Sequence, residues 1–229
     1  MRILSKGLFV SCQPAIGDET FYDFEMIKRF ALAAAYGDAK ALRIEGVENV
    51  KKIIKIVNIP TIALVKKQSK NYFDKRNITS TYGEALELYK VGAQIIAIDF
   101  TFRESCDKKY YENLMKKIRR EMENIEIFAD ISTIGEAVMA EQCGVDYVSC
   151  ALTGYTEETK NLRIPDFNIL NEMKNKINIP FIAEGGFATE QDIELAQDND
   201  AYGVVVGTAI TRPHIITLKL SKKWSNYVR

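Results

Sequence analysis

Two short runs, Thr61-Ile-Ala-Leu-Val-Lys66 and Phe181-Ile-Ala-Glu184, each follow the same Asn-Ile-Pro tripeptide and each end on a charged residue. They are β-branched and almost without polar interruption, the pattern of a parallel strand buried on both faces. Lys66 and Glu184 both stand at an even offset from the shared Asn, so alternation along a strand turns them to the same side of the sheet. A chain that repeats this unit, strand then polar strand end then helix, has few ways to fold.

The unit recurs along the chain. Strands are expected at Leu8–Gln13, Ala41–Glu45, Thr61–Lys66, Ile95–Asp99, Glu126–Asp130, Tyr147–Leu152, Phe181–Glu184 and Gly203–Gly207. Between them lie helical stretches: an Ala-rich one over Phe24–Tyr36 stopped by Gly37, one over Val47–Val57 with Ile53, Ile54 and Val57 on one face, and one over Tyr110–Met122. Thr81 with Glu84, Thr133 with Glu136 and Thr189 with Asp192 have capping-box spacing at three helix starts, Asp166 caps a fourth, and Pro213 suits the first position of the last. Loops are expected around Pro14 and Gly17, and over the basic stretch Lys67–Ser80 with Lys70, Lys75 and Arg76. Eight strands each followed by a helix, with no break in composition, predict one closed (β/α)8 barrel over residues 1–229 rather than an open doubly wound sheet. The Asn-Ile-Pro echo joins strand three to strand seven and fits a half-barrel duplication.

Composition narrows the function. The 31 basic residues balance the 31 acidic ones, which speaks against a nucleic-acid surface. No apolar run has the length of a membrane span and no leader is visible, so a cytoplasmic protein without membrane association is expected. Cys12, Cys106, Cys143 and Cys150 form no Cys-x-x-Cys pair and His214 is the only histidine, so neither a structural zinc site nor a cysteine nucleophile activated by histidine is expected. Cys12 and Cys150 read as small buried hydrophobes.

In such a barrel the chemistry gathers at the C-terminal ends of the strands. Those ends carry Gln13, Arg43, Lys66, Asp99, Asp130 and Glu184. Simple solvent-facing polarity accounts for one or two of the six, but not for all of them in a half-buried mouth. Gly185 and Gly186 after strand seven, and Gly207 and Thr208 after strand eight, are small residues whose backbone amides can approach an anion, and Arg212 adds a positive charge. These five form a candidate phosphate site. A lysine at the end of a buried strand is pushed toward neutrality by desolvation and back by carboxylates. Lys66 is thus a candidate for proton transfer, for a Schiff base, or for a plain cation. Facing Glu184 across the barrel, it suits proton abstraction beside a carbonyl.

At these residues the chain resembles the N-acetylmannosamine-6-phosphate 2-epimerases. The resemblance rests on Leu8-Phe-Val-Ser-Cys-Gln13, Arg43-Ile-Glu-Gly46, Leu64-Val-Lys66, Ile98-Asp-Phe-Thr101, Ala129-Asp-Ile-Ser-Thr133, Leu152-Thr-Gly-Tyr-Thr156, Ile182-Ala-Glu-Gly185 and Val205-Val-Gly-Thr-Ala-Ile-Thr-Arg-Pro213, in this order along nearly the whole chain. It implies a TIM barrel of the ribulose-phosphate-binding type and inversion at C2 of a 2-acetamido-hexose 6-phosphate, in amino-sugar breakdown, without metal or organic cofactor. By the same resemblance Lys66 and Glu184 are the catalytic pair, and Gln13, Arg43 and Asp130 hold or polarise the substrate. Three positions depart from the pattern: Lys67 replaces an arginine, Phe100 an alanine and Thr208 a glycine. Another phosphosugar barrel enzyme and an inactive sugar-phosphate binder are the competing readings. The apolar terminal segment with Trp224 and Tyr227 packs either on the barrel or on a second subunit, so a homodimer is one outcome the sequence allows.

Overall fold

The computed structural model describes residues 2–13, 23–67 and 73–225. Strand β1 (Gly7–Cys12) leads to helix α1 (Phe24–Tyr36), β2 (Ala41–Glu45) to α2 (Val47–Ile53), β3 (Thr61–Leu64) to α3 (Tyr82–Lys90), and β4 (Ile95–Asp99) to α4 (Lys108–Glu121). The second half continues with β5 (Glu126–Asp130), α5 (Ile134–Gln142), β6 (Tyr147–Ser149), α6 (Phe167–Lys176), β7 (Phe181–Ala183), α7 (Glu190–Asp198) and β8 (Gly203–Val206). Two helices close the chain, a single turn α8 (Thr208–Thr211) and α9 (Pro213–Ser225). Every strand pairs in parallel with its sequence neighbours and β1 also pairs with β8, so the sheet closes into the expected eight-stranded barrel.

Alternation along the strands separates two cores. Inward-facing Phe9, Ala41, Ile62, Ile95, Ala97, Phe128, Tyr147, Ile182 and Val205 pack with Leu4 and Leu64 into the barrel interior. Their neighbours one residue away, among them Val10, Leu42, Ala63, Ile96, Ile127, Val148, Ala183 and Val206, face the helices. The floor of the barrel is sealed: the Tyr202 hydroxyl donates to the Leu4 carbonyl at 2.7 Å, and the Leu4 amide donates to the Tyr147 hydroxyl at 3.2 Å. Gly203 makes room for this plug, because a Cβ there would lie 2.7 Å from Phe9 Cζ and 2.9 Å from the Gly7 carbonyl oxygen.

The three capping boxes at Thr81, Thr133 and Thr189 form as expected, and the side chain of Asp166 accepts from the Asn168 amide. The expected elements run long in places. Helix α2 stops at Ile53, short of Val57; β6 stops at Ser149, where the chain turns; β7 stops at Ala183; and β3 stops at Leu64, two residues before Lys66. Pro14, Gly17, Lys70 and Tyr227 lie outside the described residues.

The connection from β3 to α3 is not a plain loop. Asn77–Ser80 returns and lies antiparallel beside the Lys66 segment, with a bridge between Lys66 and Ile78. The Lys67 amide donates to the Asn77 carbonyl and the Thr79 amide to the Val65 carbonyl, both at 2.9 Å, while the Val65 amide donates to Thr79 Oγ1 at 3.1 Å. On its other side the Asp99 amide donates to the Ile78 carbonyl at 2.9 Å. This strap wedges between the ends of β3 and β4 and holds Lys66 by its neighbours.

Candidate active site

The side chains that alternation turns inward at the strand ends meet around one cavity of about 430 Å³, whose lining includes Gln13, Arg43, Lys66 and Glu184 together with Gly185, Gly186, Gly207, Thr208 and Arg212. Lys66 and Glu184 follow β3 and β7, which lie opposite in the closed barrel, and both line its wall. Nine of the ten expected site residues therefore share a single opening.

Asp130 is the exception. It is fully buried beneath the cavity wall and grips Arg43, whose Nη1 and Nη2 donate to Oδ1 at 3.0 Å and Oδ2 at 2.6 Å. The Arg43 guanidinium also lies 5.1 Å from the centre of the Phe128 ring, and Nη1 donates to Glu184 Oε2 as well. Burial works against the charge on Arg43, but Asp130 and Glu184 more than reverse this and keep it cationic, above the ordinary arginine range. Burial pushes the Asp130 carboxyl up against the pull of Arg43, with Glu184 and Asp99 adding to the push. A fork with two carboxylates fixes the guanidinium plane more firmly than a point charge would.

Lys66 is half-buried. Burial, then the repulsion of Arg212 and Arg43, outweigh the attraction of Glu45 and Glu184 and bring its ammonium down to about 8. A lysine near that value is an effective proton acceptor close to neutral pH. Glu45 takes part by geometry too, accepting from the Lys66 amide at 3.4 Å. At the far side of the cavity, Arg212 donates from Nη1 to Thr208 Oγ1 at 3.0 Å and from Nη2 to the Gln13 carbonyl at 3.4 Å. Gly186 has φ +83, and a Cβ on it would come within 3.1 Å of the Ile164–Pro165 backbone. Buried Gln13, which lines the cavity, leaves Oε1 without a hydrogen-bond partner among the described residues.

Asp99 does not join the site. Arg103 Nη2 at 2.6 Å, Thr101 Oγ1 at 2.7 Å and the Asn77 amide at 3.1 Å all donate to its carboxylate, so it ties the strap to β4 as a structural acceptor. Two of the three unusual positions also lie elsewhere. Lys67 turns away to Ser80 Oγ at 2.9 Å and Glu84 Oε1 at 2.7 Å, and Phe100 stacks on Tyr111 with ring centres 4.3 Å apart on the helix side of the sheet. Thr208 does face the cavity. Sequence reasoning missed Ser149, whose hydroxyl donates to Glu184 Oε2 at 2.9 Å, together with Glu45 and the wall residues Ile78, Tyr155, Ile215, Ile216 and Lys219. Alternation from Arg43 to Glu45 and from Tyr147 to Ser149 was a usable signal for two of these; the rest arise from tertiary contacts with no local signature. Among the described residues no group of three or more His, Cys, Asp or Glu side chains is arranged to hold a metal ion.

The family model described as "Putative N-acetylmannosamine-6-phosphate epimerase" matches residues 27–226. The chain belongs to this family. A relative from Caldanaerobacter subterraneus subsp. tengcongensis, described as "Putative N-acetylmannosamine-6-phosphate 2-epimerase", is 41% identical over 214 residues, covering 93% of this chain and 89% of the relative. A relative from Clostridioides difficile with the same description is 38% identical over 216 residues, 94% of each chain. Among solved structures, the N-acetylmannosamine-6-phosphate 2-epimerase from Clostridium perfringens superposes with a TM-score of 0.85 at 34% identity, covering 96% of this chain and 94% of that one. The family match spans β2 to β8 and so includes the strand ends at Arg43, Lys66, Asp130 and Glu184.

Proposed function

We propose that this chain, as a single barrel domain, interconverts N-acetylmannosamine 6-phosphate and N-acetylglucosamine 6-phosphate by removing and returning the proton at C2, in amino-sugar breakdown. The observation that carries the proposal is the pair that follows opposite strands and lines one cavity: Lys66, whose ammonium is brought down to about 8, and Glu184. With the sugar in its open form, Lys66 takes the proton from C2. The electron pair of the broken C–H bond moves into a C1–C2 double bond, and the carbonyl π pair moves onto O1. Glu184 supplies or removes the proton on that oxygen, and Arg43 offsets its developing charge. Proton return to the opposite face of C2 gives the epimer. Gln13 binds a polar group of the sugar, while Asp130 acts through Arg43. Backbone amides at Gly185, Gly186, Gly207 and Thr208, with Arg212, receive the 6-phosphate. No step calls on a metal or organic cofactor.

The test is isotopic. In deuterated water, product formed from N-acetylmannosamine 6-phosphate should carry deuterium at C2, and Lys66→Ala should abolish both conversion and labelling. Conversion without label that survives loss of Lys66 would overturn the mechanism.

Two further parts of the proposal concern setting. A hexose 6-phosphate carries a charge that does not cross a bilayer, so the reaction belongs in the cytoplasm. A second copy of this chain covers α9, which has no buried residue and exposes Leu218, Leu220 and Trp224. The same helix lends Ile215, Ile216 and Lys219 to the cavity wall, so a homodimer would also steady the mouth of the site.

A further inference from the structure

Glu184 stands just beyond the end of β7, and the two residues after it, Gly185 and Gly186, have φ of +105 and +83. Nothing in the ladder fixes a residue placed there; the β6–β7 register pairs run only from Val148 with Phe181 to Ser149 with Ile182. Two consecutive residues of the β6 edge supply what the ladder does not. Ser149, fully buried inside the barrel, donates from Oγ to Glu184 Oε2 at 2.9 Å. Cys150, buried on the opposite face of the sheet, accepts at Sγ from the Glu184 amide at 3.3 Å and donates to the Glu184 carbonyl at 3.2 Å. Burial pushes the Cys150 thiol up to about 12, so it keeps the proton it donates.

The carboxylate is consequently asymmetric. Arg43 Nη1 and Ser149 Oγ both converge on Oε2, whereas Oε1 accepts no hydrogen bond among the described residues. Arg43 is not committed to Glu184, because the same Nη1 also donates to Asp130 Oδ1 and Nη2 donates to Oδ2. The Ser149 hydroxyl is the donor given to Glu184 alone.

We infer that Ser149 and Cys150 are positioning residues that clamp Glu184, Cys150 by its backbone and Ser149 by Oε2, so that Oε1 is the oxygen presented to the sugar. This rests on the reading of Glu184 as the group that moves the oxygen-bound proton. A free Glu184 side chain would still line the cavity and still permit binding, but it would spend much of its time turned away from O1. Loss of the clamp therefore acts on turnover rather than on affinity.

The experiment is a double-mutant cycle between Ser149→Ala and Glu184→Gln, read by steady-state kinetics and by the more sensitive wash-in of solvent deuterium at C2. Ser149→Ala should remain fully folded at the assay temperature, with a modestly lower melting temperature, and lower kcat about tenfold, with KM moving by less than about twofold. Glu184→Gln should be far more severe, and adding Ser149→Ala to it should cost nothing more. Cys150→Ser, which keeps a donor and an acceptor, should retain activity that Cys150→Ala loses. Unchanged kcat in Ser149→Ala, or losses that multiply in the double variant, would overturn the clamp while leaving Glu184 in place. Wild-type turnover in Glu184→Gln would instead sink the role of Glu184 itself.

Discussion

Arg43 is the residue that the other charged groups of the site depend on. It is 1% exposed and holds Asp130 and Glu184 at once. Removing it would leave two carboxylates in a poorly solvated place, so Arg43→Met should lower stability by about 3–5 kcal/mol, measured by chemical denaturation. Arg43→Lys should recover only part of this, because one ammonium cannot reproduce the planar fork. Equal stability of wild type and Arg43→Met would contradict the ion-pair geometry. Lys66 makes a second prediction. In the proposed mechanism its neutral form is the base, and with a value of about 8 that form is scarce at low pH and predominates at high pH. Below pH 8 the acid-side limb of kcat/KM should therefore rise by about tenfold per pH unit, and it should level off above. Glu45 attracts a proton onto Lys66, so Glu45→Gln should move that limb to lower pH. A limb that stays in place would remove Glu45 from the tuning of Lys66.

At the level of elements, the strap Asn77–Ser80 fixes the backbone on both sides of Lys66. Thr79→Ala removes the hydroxyl that receives the Val65 amide and should cost about 1 kcal/mol or somewhat more, with a loss of turnover larger than the loss of binding. In the barrel wall, Gly203→Ala would drive a methyl into Phe9 and the Gly7 backbone. A destabilisation of about 1–3 kcal/mol in the denaturation midpoint is expected, and a tolerated alanine would show that the floor is looser than its packing indicates. These two elements differ in how far local pattern reveals them. Strand alternation and capping boxes are properties of a few neighbouring residues, so the barrel, its inward strand ends and the Thr81, Thr133 and Thr189 helix starts can all be read from the chain alone. The strap pairs residues across a polar loop with no periodicity of its own, and its hydrogen bonds exist only once β3 and β4 are side by side. For the same reason Asp99 and Asp130 look alike in sequence: each ends a strand, but Arg103 encloses one and Arg43 recruits the other. Alternation says which way a side chain points, not which cation it meets.

At the scale of the molecule, closure through β1 and β8 leaves one open end, and the terminal helix runs beside it with its apolar residues uncovered. Trp224 is 77% exposed and Leu220 is 65% exposed, an arrangement costly in water unless a partner covers it. Sedimentation should find a dimer, and Leu218→Glu combined with Leu220→Glu should halve the mass while leaving the barrel folded. A wild-type monomer would refute the homodimer. The placement of Arg212 carries a last consequence. Of the charged groups around Lys66, Arg212 is the strongest in driving its proton away. In the proposed mode of binding a phosphate dianion at Arg212 offsets that repulsion, so arrival of the sugar should raise the proton affinity of Lys66. The pH limb of kcat, which reports the loaded enzyme, should then lie above the limb of kcat/KM, which reports the empty one. A hexose without phosphate should show no such gap. The 6-phosphate would thus be more than a handle: through Arg212 it sets the proton affinity of Lys66 from a distance.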